Sequence, residues 1–118
     1  MKMFDVDGFT IRMKRGETGA VYFRLVGYTF EPEDRVIFKL RQGNQTYISE
    51  EYTPDEHNGI TIYFLHSTTE PLAAATYNYD IIIVLHPYRD KNGKIADGDQ
   101  VLYPYDSQNL IIEASAGL

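Results

Sequence analysis

Apolar and polar residues alternate with period two along almost the whole chain, and no stretch carries a convincing helical stripe. In FTIRMK, Phe9, Ile11 and Met13 share one face, with Thr10, Arg12 and Lys14 on the other. AVYFRLVG sets Val21, Phe23 and Leu25 against Tyr22 and Arg24, and RVIFKLRQ sets Val36, Phe38 and Leu40 against Ile37, Lys39 and Arg41. QTYISEEY is more polar, as an edge strand would be, and GITIYFLH buries Ile60, Ile62 and Phe64. TYNYDIIIVLH lines up Tyr77, Tyr79, Ile81, Ile83 and Leu85, and DQVLYPY and QNLIIEA close the chain. The pattern predicts about eight strands, with a core that includes Ile11, Phe23, Val36, Phe38, Leu40, Ile60, Ile62, Tyr79, Ile81 and Ile83.

Turn chemistry falls between these runs. Gly43-Asn44 predicts a tight hairpin, and Asn58-Gly59 and DKNGKIADGD are further turn signals, because Gly and Asn tolerate positive φ. STTEPLAAAT permits at most one short helical turn near 67–73, capped by Ser67 or Thr68, with Pro71 ending it. Short strands separated by turns indicate an all-β sandwich or barrel, and residues 1–118 read as a single domain. One strand breaks the alternation. In DIIIVL, Ile82 and Val84 should face away from the core, so that strand is apolar on both faces and needs covering on both. A covering loop or terminal segment and a partner subunit are the two accounts.

Charge narrows the class of partner. Acids outnumber Lys and Arg by 17 to 11, a net charge of −6, which disfavours free nucleic acid and anionic membranes. With no cysteine, disulfides, thiolate metal sites and cysteine nucleophiles are excluded. MKMFDVDGFTIRMK has acids where a signal peptide needs an apolar stretch, so synthesis in the cytoplasm is expected. The aromatic content is unusual: ten Tyr and six Phe with no Trp. Tyrosine suits strands, and it suits interfaces that bury its ring while its hydroxyl stays wet.

Four patterns invite chemistry, and each has a plainer explanation. MKRGETG could form an anion-binding nest, but its glycines lack P-loop spacing and a strand follows, so it reads as a charged inter-strand turn. DKNGKIADGD offers Asp90, Asn92, Asp97 and Asp99 as oxygen ligands, but Lys94 sits where a calcium loop wants acids, and a solvated loop is favoured. His57, His66 and His86 are isolated from one another and from metal-ligand spacings. Glu50 and Glu51 point to opposite faces of a strand, and no serine lies in a nucleophile-elbow context. No catalytic, cofactor or metal residues are expected.

Taken in order, RGETGAVYFRL, DRVIFKLRQ, GITIYFLHSTTEPLAAATYNYDIII and KNGKIADGDQVLYPYDSQNLII have a familiar succession. The chain resembles, from about residue 10 to 113, the N-terminal immunoglobulin-like domain of the phage baseplate upper protein family, found in phages and prophages of Gram-positive bacteria. RGET and TYNYDI carry the resemblance together. It implies an immunoglobulin-like antiparallel β-sandwich, a non-enzymatic assembly module of a tail or baseplate, and a place in the virion. Its expected partners are itself, as a homo-oligomer, or other tail proteins. The interface expected from the residues comprises Tyr22, Tyr63, Ile82 and Val84. The alternative is a carbohydrate-binding module that stacks sugars on coplanar surface tyrosines, although Trp, the ring most expected there, is missing.

Overall fold

A computed structural model of the chain describes residues 2–4, 6–85 and 100–116. The elements are β1 (Val6–Asp7), β2 (Thr10–Lys14), β3 (Gly19–Arg24), β4 (Arg35–Gln42), β5 (Gln45–Tyr52), β6 (Gly59–Phe64), α1 (His66–Thr69), β7 (Ala75–Leu85) and β8 (Gln100–Glu113). They form a six-stranded sheet, ordered β1-β2-β8-β7-β4-β5, packed on a two-stranded sheet of β3 and β6. The fold is an all-β sandwich. Every core residue expected from the alternation is buried between the two sheets.

Aromatic rings fill the centre. Phe23 of the small sheet meets Tyr79 of the large one with ring centroids 5.8 Å apart, and Phe38 packs on Tyr79 at 5.9 Å and edge-on to Phe64 at 5.8 Å. Offset and edge contacts of this kind add to the stabilisation from area burial alone. Tyr77, at the start of β7, donates its hydroxyl to the Ala73 carbonyl four residues back.

The structure departs from the alternation in five places. DQVLYPY and QNLIIEA are one continuous strand, β8, whose ladder with β7 shifts register twice, between Tyr79 and Ile81 and between Ile81 and Ile83. These irregularities accommodate Pro104, which has no N–H to give a ladder, and Ser107, which has a positive φ of 54°. The eighth strand is instead β1, two residues long. Not all pairing is antiparallel: β2 runs parallel to β8, because the chain begins beside β3 and crosses to the large sheet. Phe9 lies in the β1–β2 turn and is 53% exposed, with its ring edge-on to Tyr105 at 5.1 Å. The helical turn starts one residue earlier than expected, and its N-cap is Leu65 with no side-chain cap bond, not Ser67 or Thr68.

Strand order also sorts the connections between two ends. The β2–β3 turn, the β4–β5 hairpin and α1 lie at one end, and loops 25–34 and 53–58 lie at the other. His86 and the DKNGKIADGD segment, with Asp90, Asn92, Asp97 and Asp99, lie outside the described residues.

Candidate functional site

The glycine-rich turn docks the helix. Residues 15–18 carry the chain from β2 to β3 and wrap against α1, leaving a cleft of about 290 Å³ lined by Lys14, Arg15, Glu17, His66 and Glu70 among others. The Gly16 carbonyl accepts from His66 Nδ1 at 2.7 Å, Arg15 Nε donates to the Glu70 carbonyl at 2.7 Å, and Thr69 Oγ1 donates to the Glu17 carbonyl at 3.1 Å. Gly16 has φ +80°, and a Cβ there would stand 2.8 Å from Glu70 Oε2. Glu17 accepts from the Lys14 N–H and from Lys2, and these contacts hold its carboxyl below the usual range. The turn's polar groups thus hold a connection together.

A second cluster lies on the outer face of the large sheet. Asp80 pairs with Arg41 (Nε to Oδ2, 2.9 Å) and accepts from the Ser107 N–H at 2.7 Å. Burial raises its carboxyl pKa, but the Arg41 and Ser107 hydrogen bonds and the guanidinium charge outweigh that, so the net shift is downward. The cluster pins the β8 irregularity to β7 and β4. Alternation alone missed it, although an acid inside the apolar run YDIIIV was its visible sign.

Of the four residues expected at an interface, two are open and two are not. Tyr22 is 41% exposed and Tyr63 53%, both on the outer face of the small sheet. Ile82 and Val84 are 7% and 0% exposed, so the apolar face of β7 is not open to a partner through them. Burial within the single chain means that its own residues close over this face, the first of the two accounts, with Ile82 registered against Ile37 and Val84 between Arg35 and Val101.

The open surface is therefore the small sheet. Residues 2–4 lie along β3: Ala20 N–H donates to the Lys2 carbonyl and Phe4 N–H to the Ala20 carbonyl. Met3, Ala20 and Tyr63 thus form a row across three strands, with Met3 and Tyr63 exposed and Ala20 covered. Leu65, just beyond β6, is exposed as well. Tyr22 leans the other way, over Gly59, where a Cβ would fall within 2.1 Å of the tyrosine Cζ. Its hydroxyl donates to Asp55 Oδ2 at 3.0 Å, and Asp55 Oδ1 accepts the N–H groups of His57 and Gly59. The Gly59 and His57 bonds, with that of Tyr22, hold the Asp55 carboxyl below its ordinary range. Asn58, at φ 58°, donates to the Tyr28 carbonyl at 2.8 Å, which ties loop 53–58 to loop 25–34. Tyr22 is thereby tied to loop 53–58 with its ring over Gly59.

Two grooves flank this end. One, of about 410 Å³, lies between Phe9, Arg24, Val26, Tyr28 and Tyr105, and the other, of about 370 Å³, is walled by Glu31, Asp34, Asp55 and Glu56 with Phe30. Among the described residues no three His, Cys, Asp or Glu side chains are grouped to hold a metal ion. Compared with family models, curated proteins and solved structures, the chain matches none.

Proposed function

We propose that the chain is a non-enzymatic assembly module of a phage or prophage tail or baseplate, an immunoglobulin-like sandwich that works through protein–protein contacts in the virion. The observation that carries the assembly reading is the outer face of the small sheet, where Tyr22 of β3 and Tyr63 of β6 are exposed with Met3 and Leu65 beside them, and where Asp55 ties Tyr22 and Gly59 together. Exposed aromatic and aliphatic side chains on a rigid support lose little conformational entropy on docking, which favours association.

The immunoglobulin-like assignment is supported by strand order. The run β8-β7-β4-β5 opposite β3-β6 follows the G-F-C-C′ and B-E arrangement of such sandwiches. The Tyr77 to Ala73 hydrogen bond has the form of their tyrosine corner. Phe23 and Tyr79 bridge the sheets where antibody domains place a disulfide. The phage reading rests on the resemblance carried by RGET and TYNYDI, and both stretches lie at structural junctions: the turn clamped on α1 and the strand that opens with the tyrosine corner.

Sedimentation velocity at high micromolar concentration, alone and with tail and baseplate proteins, tests the proposal. The chain should self-associate or co-sediment with one of them, and Tyr63→Glu should abolish the complex while leaving the fold intact. A monomer that captures no tail protein would defeat the reading.

A further inference from the structure

The edge of β3 is half occupied. Ala20 spends its outward N–H and C=O on residues 2–4, which lie along the strand with Met3 outward and Phe4 buried edge-on against Phe64 at 5.8 Å. Backbone groups of alternate residues point to the same side of a strand. Those of Tyr22 and Arg24 therefore face the same open side as Ala20's, whereas Leu25 N–H turns back to the Asn58 carbonyl on the β6 side. Among the described residues nothing pairs with Tyr22 or Arg24 along that edge.

Beside this free half lies the groove of about 410 Å³ between Phe9, Tyr28 and Tyr105, with Arg24 at its lip. The Arg24 side chain is exposed and has no hydrogen bond or ion pair among the described residues, an uncompensated cation on a chain of net charge −6. An unpaired strand edge, an adjoining aromatic groove and one free cation are the three elements of strand-addition recognition. Main-chain bonds supply affinity there, and a pocket for alternate side chains supplies selectivity.

We propose that the free half of the β3 edge binds an extended segment of a partner protein as an added strand. The segment places one aliphatic or aromatic side chain in the Phe9–Tyr28–Tyr105 groove and a neighbouring carboxylate against Arg24. Residues 2–4 are the precedent on this very edge: a strand laid along β3 with one aromatic turned inward. A second copy of the chain fits less well. Pairing β3 with its own symmetry mate would bring each copy's residues 2–4 onto the turn that follows the other's Arg24, and would join two chains of net charge −6. The inference rests on the assembly reading and specifies the chemistry of the partner.

The test is a selection of displayed eight-residue peptides against the 118-residue chain, followed by NMR titration of a synthetic enriched peptide. Enriched sequences should alternate, with an apolar residue next to Asp or Glu, and shifts should concentrate at Tyr22–Val26, Phe9 and Tyr105. Arg24→Glu should weaken binding about tenfold, the loss expected for one charge-assisted contact, and a peptide with Lys in place of its acid should regain it. Peptides that perturb another surface, an Arg24→Glu variant that binds equally well, or concentration-dependent shifts at Tyr22–Arg24 without peptide would each overturn the inference. Tyr63→Glu should leave the titration unchanged. If that variant abolishes assembly while no peptide binds at Arg24, the strand-addition inference fails and the assembly reading stands.

Discussion

The hydroxyl of Tyr77 donates to the carbonyl of Ala73 at 2.8 Å, closing the corner between α1 and β7. The ring is buried, so burial pushes the phenol's pKa up, and the hydrogen bond gives the polar tip a partner inside the protein. Tyr77→Phe keeps the ring and removes the bond. It should cost about 1–2 kcal/mol in urea denaturation, and an unchanged midpoint would show that the corner contributes nothing to stability.

Phe38 sits at the junction of the Tyr79 and Phe64 rings and is fully buried. Phe38→Ala should lower stability by about 3–5 kcal/mol, through lost burial plus a cavity. A loss below about 1 kcal/mol in equilibrium denaturation would contradict the position of Phe38 in the core.

Gly16 and Gly43 both have positive φ, at +80° and +59°, but their surroundings differ. A Cβ at Gly43 meets nothing within 4 Å, whereas one at Gly16 runs into Glu70 and the His66 ring. Gly43→Ala should therefore cost only the left-handed backbone penalty, about 1–2 kcal/mol. Gly16→Ala should cost somewhat more, because its Cβ also turns the Glu70 carboxylate aside and crowds the His66 ring that bonds the Gly16 carbonyl. Thermal melts of the two variants side by side would read the difference, and equal losses would argue against the clamp.

Asp80 makes stability depend on pH in the acid range. Its folded pKa lies below the unfolded value of about 3.9, so between the two the unfolded chain binds more protons and stability rises with pH. The contribution is complete above the unfolded value and is lost as pH falls through the folded one. Asp80→Asn should lower stability at pH 7 and flatten the acid limb of the profile. A variant with an unchanged slope in acid urea titrations would remove Asp80 from that role.

Val84 and Tyr63 separate stability from association. Val84 is fully buried, so Val84→Ala should destabilise by about 1.5–3 kcal/mol and leave any complex intact once the protein is folded. Tyr63→Ser should change stability by no more than about 0.5 kcal/mol and should weaken the complex. The reverse pattern in paired denaturation and sedimentation experiments would return the interface to β7.

Alternation by itself determined the strands from β2 to β7, the inward set from Ile11 to Ile83, the polar edge strand β5 and the hairpin at Gly43-Asn44. Those are local properties: side chains of a pleated strand alternate strictly, and glycine's freedom at positive φ does not depend on its neighbours. What the β8 irregularity pairs with, which strands are central, and where the chain crosses between sheets depend on contacts between residues far apart in sequence. Ile82 and Val84 show the consequence. Their pattern marks a second apolar face, but only the assembled chain decides that this face is covered from within and not by a partner. In the same way, nothing local in VYFRLV reveals that residues 2–4 lie along β3 at Ala20 while Tyr22 and Arg24 have no backbone partner there among the described residues, because an edge exists only once the sheet has been assembled.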